Sequence, residues 1–317
     1  ARVQVLPDLD GGSFTVLPQV VGPGAGLELG VRLLADGEVV AQWEGGAGSP
    51  AMHLAIEEPR AWSPDDPSLY DLEFELRWGG EVVDAVASYA GLRKVHIEGN
   101  RILLNNEPIF LRLVLDQGFY PEGLWTAPTD VNLKADIERS MAVGFNGARL
   151  HQKVFEERFH YWADRLGYLT WGEFPDWGMD FGKPRSVANQ QREWAAAVRR
   201  DWNHPSIIAW TPYNETTHTG GDKHPEAHRR AVEETYALTK ALDPTRPVND
   251  CSGYIHVRTD IQTVHDYEQD PTVFAERYAW VDPENPTAAY TRFPEFSTPY
   301  AGEPYVVDEY GGTWWEE

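Results

Sequence analysis

Cysteine is nearly absent from this sequence. The single one, Cys251, cannot build an intrachain disulfide framework. That excludes the small, disulfide-stapled secreted class and fits a reducing, cytoplasmic compartment of bacterial type, although secreted and periplasmic enzymes also manage without disulfides. Basic residues are scarce too: 27 Lys and Arg stand against 50 Asp and Glu, for a net charge of −23. Such a surface repels nucleic acid and anionic membranes, so neither is expected as a partner. No apolar run approaches the ~18 residues needed to cross a bilayer. The opening "ARVQVLPDLD" has neither the basic n-region nor the apolar h-region of a signal peptide. It also lacks an initiator Met, which fits a piece of a longer chain.

The 317 residues are enough for two domains or one large barrel. Aromatic residues are plentiful, with 13 Trp, 14 Tyr and 12 Phe. Trp171, Trp177, Trp210 and Trp314 lie near expected strand ends, where a ring can stack on the apolar C–H face of a sugar. For any single Trp, core packing is the simpler reading, and for mid-strand Trp210 it is preferred. Cys251 likewise reads as a small buried residue before it reads as a nucleophile.

Residues 1–95 read as an all-β domain. "SFTVLPQV", "GLELGVRLLAD", "EVVAQWEG", "LYDLEFELRWGG" and "EVVDAVASYAG" are short strands between Gly, Pro and Asp turns, and "DLEFELRW" alternates apolar and polar. "ADGE" and "WGGE" are hairpin turns. A spacing of about ten residues per strand fits an immunoglobulin-like β-sandwich, in which nothing looks catalytic.

From residue 96 to 317 strand-like runs alternate with helical ones, as right-handed βαβ units and a parallel sheet require. The strand runs are "IFLRLVLD" (109–116), "GFNGARLH" (144–151), "YLTWGEF" (168–174), "SIIAWTPYNE" (206–215), "RPVNDCSG" (246–253), "DIQTVHDY" (260–267) and "EPYVVDEYGG" (303–312). Between them lie helices, one with Thr129 as its expected N-cap. Several strands end in polar residues, as in a (β/α)8 TIM barrel whose function sits at the C-terminal strand ends. Seven units are visible, so the expected fold is a TIM barrel truncated after strand 7. A doubly wound sheet is the alternative, but no Gly-rich phosphate loop follows a strand.

The strand ends offer Asp116, Arg149 and His151, Trp171 and Glu173, Asn214 and Glu215, Asn249 and Asp250, His265, Asp266 and Tyr267, and Asp308 and Glu309. Glu215 and Glu309 stand out, each directly after an apolar strand. Two carboxylates flanking one bond are what glycoside hydrolysis needs. Asn214 can donate to a sugar hydroxyl, Arg149 can hold Glu309 ionised, and Tyr267 can orient it. Glu215 is expected to have a raised pKa, from burial and the charge of Glu309. Period two along a strand, with neighbours facing opposite ways, favours Glu309 over its rival Asp308.

"WNHPSIIAWTPYNE" closely resembles the acid/base signature of family 2 glycoside hydrolases, the β-galactosidase, β-glucuronidase and β-mannosidase group. "PYVVDEYGG" is similar to that family's nucleophile strand. "AWSPDDPSLYDLEFEL" and "GLRKVHIEGNRILLNNEPIFLR" look like its immunoglobulin-like domain and the entry into its barrel. The resemblance covers nearly the whole chain. It implies a retaining double displacement with Glu309 as nucleophile, Glu215 as acid/base and Asn214 on the sugar 2-hydroxyl. It implies supporting places for Arg149, Tyr267, His151 and Glu173. The family's second-strand motif more often reads Arg-x-Ser-His, whereas here it is "RLHQK". The family's N-terminal jelly roll and eighth barrel strand are not seen, and a chain lacking them is expected to bind sugar poorly or to be inactive.

The expected substrate-binding set is Asn214, Arg149, Tyr267, His151, Asp116, Trp171, Glu173 and His265, with no cofactor and no metal. Two other classes compete with this reading. One is a metal-dependent barrel hydrolase using His151, His265, Asp266 and Asp308, although no His-x-His pair follows the first strand. The other is a non-catalytic carbohydrate-binding fragment, for which retention of both carboxylates is not needed. The expected partner is a carbohydrate, and a homo-oligomer of the full-length parent is compatible with the sequence. No basic cluster for a uronate follows strands 5–7; Arg258 and Lys153 are isolated candidates. A β-galactosidase is therefore favoured over a β-glucuronidase or β-mannosidase.

Overall fold

The computed structural model describes residues 2–21, 26–216, 225–279 and 289–312; Trp314 lies outside them. Two antiparallel sheets open the chain. One has the order β1 (Arg2–Asp8), β2 (Ser13–Gln19), β5 (Met52–Ala55). The other has the order β4 (Glu38–Gly46), β3 (Leu27–Ala35), β6 (Tyr70–Trp78), β7 (Glu81–Ala90). Both predicted hairpins form, with Asp36 and Gly37 at φ 52 and 85 and Gly79 and Gly80 at 58 and 85. Positive φ at both central residues matches the strand twist, which is why Asp-Gly and Gly-Gly stand there. The alternating residues Val31, Leu33, Leu72 and Phe74 point inward onto Phe14, Val16, Met52 and Leu54, giving one two-sheet core.

A three-stranded antiparallel unit, β8 (Val95–Glu98), β9 (Arg101–Leu104) and β10 (Glu107–Pro108), leads into the α/β part. There β11 (Leu113–Asp116), β12 (Gly147–Leu150), β13 (Leu169–Glu173) and β14 (Ile207–Thr211) form a parallel sheet in sequence order. Helices α1 (Asp130–Ala142), α2 (Glu157–Leu166) and α3 (Pro184–Asp201) cross over between them. After α4 (Pro225–Leu242), β15 (Gln262–His265) and β16 (Tyr305–Glu309) pair in parallel, with α5 (Pro271–Tyr278) between. Thr129 is the N-cap of α1 by position, but its hydroxyl donates to the Asn132 side chain at 2.7 Å rather than capping backbone.

The expected fifth strand, 246–253, is not a ladder strand. It touches β14 and its extension only through isolated bridges, Trp210 with Val248 and Asn214 with Ser252. Side chains take two of its donors, Asp260 the Val248 N–H and Asp250 the Cys251 N–H, while Asn249 N and Ser252 N still donate to Trp210 O and Tyr213 O, so the pairing is broken rather than lost. The parallel strands therefore form a four-stranded and a two-stranded sheet, with no closed barrel and no seven-strand ladder among the described residues.

The inner face of these strands is filled by Leu169, Trp171, Ile208, Ala209 and Ile261. Val95, Ile102 and Leu104 of the β8–β9 hairpin and Trp62 of the sandwich close it from below. Trp210 packs on the opposite side, against Trp194 and Val198 of α3. The segment "NHPS" fastens the sandwich. Asn203 Oδ1 accepts from Val5 N, and its Nδ2 donates to Val3 O, both at 2.9 Å. Arg93, 2% exposed, donates to Pro205 O and Ile207 O at 3.0 Å each. Buried Asp164 accepts from Ser206 N at 3.0 Å and Tyr89 Oη at 2.7 Å.

Candidate active site

Arg149 organises the strand ends. It sits in β12, every residue of which is buried. Its Nε donates to Glu173 Oε2 at 2.7 Å, and its Nη2 to Asn214 Oδ1 at 2.7 Å and Glu309 Oε1 at 3.0 Å. Nη2 also lies 2.8 Å from His151 Nδ1, and Nη1 donates to Asp308 O at 3.1 Å. Burial works against its charge, but Glu173, Asp308 and Glu309 outweigh that and raise the guanidinium pKa. One side chain thus joins β12, β13, the end of β14 and β16, although no ladder links the two sheets.

In β16 the register slips, with Val264 opposite Val307 and His265 opposite Glu309, so Asp308 is the extra residue. This bulge corrects the expectation that Asp308 and Glu309 face opposite ways. Both side chains turn inward, 3% and 7% exposed, and both lie within reach of Arg149. Glu309 also accepts from the Tyr267 hydroxyl at 2.6 Å, and burial and this hydrogen bond push the tyrosine pKa up. Asp308 accepts from Ser252 Oγ.

Glu215 sits on strained backbone, with φ 52, a left-handed value rare for a residue carrying a Cβ. Its Oε1 lies 2.7 Å from His265 Nδ1. One of its oxygens comes within 4.8 Å of one of Glu309. Its pKa departs from the expectation: burial pushes it up, but His265, the Tyr254 hydroxyl and the charge of Arg292 hold it below the usual carboxylate range. Burial and like charge are legible in the sequence; the imidazole that opposes them is not. Asn214 is fully buried and its Nδ2 has no partner among the described residues.

The other expected residues divide. His151, 7% exposed, lies 3.0 Å from Glu173 Oε1 and 3.9 Å from Glu309 Oε1. Glu173 braces the cluster from behind, taking Arg149 on one oxygen and His151 and Gln152 N on the other. Burial raises the Glu173 carboxyl, yet Arg149 and His151 hold it below the usual range. Trp171 is not at the site: it packs in the inner core and donates to Thr211 Oγ1 at 2.7 Å. Asp116 turns back on its own loop, accepting from Gly118 N at 2.8 Å. Asp266 is held by Arg277 and Tyr278. Cys251 is buried, and burial pushes its thiol up, away from nucleophile chemistry. Lys153 is spent on Gly118 O and Trp125 O, and Arg258 lies over the Tyr236 ring.

Sequence reading missed Tyr254, Ser252, Arg292 and Asp176. The last is buried, accepts from Asn214 N at 3.1 Å and has a carboxyl raised well above its usual range by burial. The Gly of "CSGY" was the available signal, since a residue at φ 78 marks a turn that delivers its neighbours to a site. Glu215, His265 and Glu309 are spaced as cation ligands can be. Each carboxylate, however, already has a ring nitrogen of His265 as partner, at 2.7 and 3.3 Å.

Paired carboxylates at the converging ends of parallel strands, at the far end from the sandwich, are the arrangement of a glycosidase-type site. Residues 29–93 match Glycosyl hydrolases family 2, and residues 95–313 match the Glycosyl hydrolases family 2, TIM barrel domain. The chain belongs to glycosyl hydrolase family 2. It is 29% identical over 246 residues to a putative beta-glucuronidase of Formosa agariphila, covering 74% of this chain and 22% of that one. It is 31% identical over 206 residues to a beta-galactosidase of Vibrio vulnificus, covering 62% and 19%. Among solved structures, Ruminococcus gnavus β-glucuronidase in complex with N1-substituted uronic isofagomine matches with TM-score 0.73 and 26% identity, covering 84% of this chain and 45% of that one. The same enzyme in complex with D-glucuronic acid matches with TM-score 0.79 and 24% identity, covering 98% and 53%. The chain thus spans roughly a fifth of the curated relatives and half of the solved ones.

Proposed function

We propose that the protein is a retaining exo-β-glycosidase that removes terminal β-linked sugars through a covalent glycosyl-enzyme. The observation that carries this reading is the approach of Glu215 and Glu309 to within 4.8 Å. Retaining enzymes hold their carboxyls about 5–5.5 Å apart, whereas an inverting pair leaves about 6.5–9.5 Å for a water. The supports differ in kind as well. Glu309 has a fixed cation at 3.0 Å and a phenol at 2.6 Å, the surroundings of a carboxylate aimed for attack. Glu215 has a titratable partner, as a group that gives up and regains a proton needs. The Nδ2 of Asn214, unpartnered among the described residues, favours a sugar hydroxyl there, since an orphaned buried donor costs about 1–3 kcal/mol until it is met.

In this reading Glu309 attacks the anomeric carbon while Glu215 protonates the departing oxygen. Glu215 then draws a proton from the water that releases the sugar. The sugar is proposed to be galactose. A uronate is the second reading, favoured by Arg292 beside Glu215 and by the relatives named beta-glucuronidase. The test is a panel of aryl β-glycosides with one leaving group, read with and without chelator. Hydrolysis that survives chelator and vanishes in Glu309→Gln supports the reading. A 2-deoxy-2-fluoro glycoside that labels a residue other than Glu309 refutes it. The ratio of galactoside to glucuronide turnover chooses the sugar.

A further inference from the structure

His265 ends β15 with both ring nitrogens engaged and 1% exposure. On one side Nδ1 faces Glu215 Oε1 at 2.7 Å. On the other, Nε2 faces Ser252 Oγ at 3.0 Å, Glu309 Oε1 at 3.3 Å and Asp308 Oδ1 at 3.4 Å. The remaining charged and titratable groups stand further out. Tyr254 lies 5.9 Å away, ring to ring, and carries Arg292 over its outer face. Arg149 and Tyr267 approach from behind Glu309. Gly253, at φ 78, lies against the imidazole so closely that a Cβ would overlap the ring.

Hydrogen-bonding capacity points to where the protons lie. Ser252 Oγ gives its hydrogen to Asp308, so toward His265 it can only accept, and Nε2 therefore carries a hydrogen. Nδ1 and Glu215 Oε1, at 2.7 Å, cannot both be bare acceptors, so one proton lies between them. We propose that His265 is a positioning residue that keeps the catalytic proton of Glu215, the pair holding one proton between turnovers. This rests on reading Glu215 as the acid/base. As the bond from the anomeric carbon to the leaving oxygen breaks and the bond to Glu309 forms, that proton passes through Glu215 to the leaving oxygen. Glu215 is then ionised and His265 neutral, still carrying its Nε2 hydrogen. Water next bonds to the anomeric carbon, the ester to Glu309 breaks, and the water's proton returns to the pair.

The test compares two leaving groups in the full chain. A 2,4-dinitrophenyl glycoside departs without acid help, whereas an alkyl glycoside needs it. His265→Gln keeps an amide for Glu215 but cannot hold the proton. It is expected to cut kcat/KM on the alkyl glycoside about 10²-fold, change the dinitrophenyl glycoside less than about threefold, and move the acid/base limb of the pH profile. A merely structural role would slow both substrates alike. Independently of turnover, the unaltered protein should show a downfield resonance of a proton coupled to His265 Nδ1, lost in both His265→Gln and Glu215→Gln, whereas the Nε2 proton is lost only in His265→Gln. Equal losses on the two substrates, an unmoved limb, or an Nδ1 proton resonance that persists in Glu215→Gln overturns the inference. If the unaltered protein hydrolyses neither substrate, as the sequence expects of a chain without the jelly roll and eighth strand, the resonance decides the pairing alone.

Discussion

Replacing Arg149 with Met would leave three inward-facing carboxylates without their cation. Their side chains are 0%, 3% and 7% exposed in Glu173, Asp308 and Glu309. Breaking a buried ion pair by removing one partner costs about 3–5 kcal/mol, a large part of the ~5–15 kcal/mol that holds a domain folded. The sign of the pH dependence is the sharper prediction. With Arg149 present, Glu173 titrates below its unfolded value, so its contribution exists above about pH 4.3 and is lost as pH falls through the folded pKa. Without Arg149, burial is the dominant influence, and the folded pKa rises above the unfolded one. The penalty then appears as pH rises and is relieved as pH falls. Urea unfolding followed by tryptophan fluorescence should show a gap of about 3–5 kcal/mol between parent and Arg149→Met near pH 7, narrowing near pH 4.5. Arg149→Lys, which keeps charge but not the fork, should fall between. A gap under about 1 kcal/mol at neutral pH, or one equal at both pH values, would refute the reasoning.

Tyr267→Phe removes the hydroxyl held 2.6 Å from Glu309 and should lower kcat/KM about 10- to 100-fold at unchanged stability, measured with an aryl glycoside. Gly253→Ala should slow alkyl glycosides selectively, with an unchanged circular dichroism spectrum, because its methyl displaces His265; full activity would mean that the ring has room to move. Asn203→Ala should destabilise by about 1–3 kcal/mol in urea, since it leaves Val3 O and Val5 N of β1 without their 2.9 Å partners.

What the sequence made legible was what backbone pattern controls. The β-sandwich hairpins follow from Asp-Gly and Gly-Gly, and the strand order from the alternation of apolar runs with helices. The convergence of Arg149, Asn214, Glu215, Tyr267 and Glu309 follows from their places at strand ends. What was not legible depended on side chains competing with backbone. Asp260 and Asp250 take the Val248 and Cys251 N–H groups and interrupt the pairing of 246–253, and neither spacing nor hydropathy shows that. The bulge at Asp308 defeats the period-two argument through a slip of one residue that no local composition marks. Trp171 was placed at the site because it ends a strand, but its ring turns inward beneath the mouth. The lowered pKa of Glu215 needed a partner 50 residues away in sequence.

The seam between the two domains bears on how far they are separable. Asn203 ties itself to β1, Arg93 takes the carbonyls of Pro205 and Ile207, and Asp164 holds Ser206 while accepting from Tyr89. All of these act on the few residues that launch β14, whose far end carries Asn214 and Glu215. A sandwich with no chemistry of its own thereby sets the starting point of the strand that aims the acid/base. Swapping sandwiches among relatives should then behave less like exchanging a spacer than like remounting a tool: a chimera that folds fully but misplaces the root of this strand would inherit both carboxylates and lose their alignment.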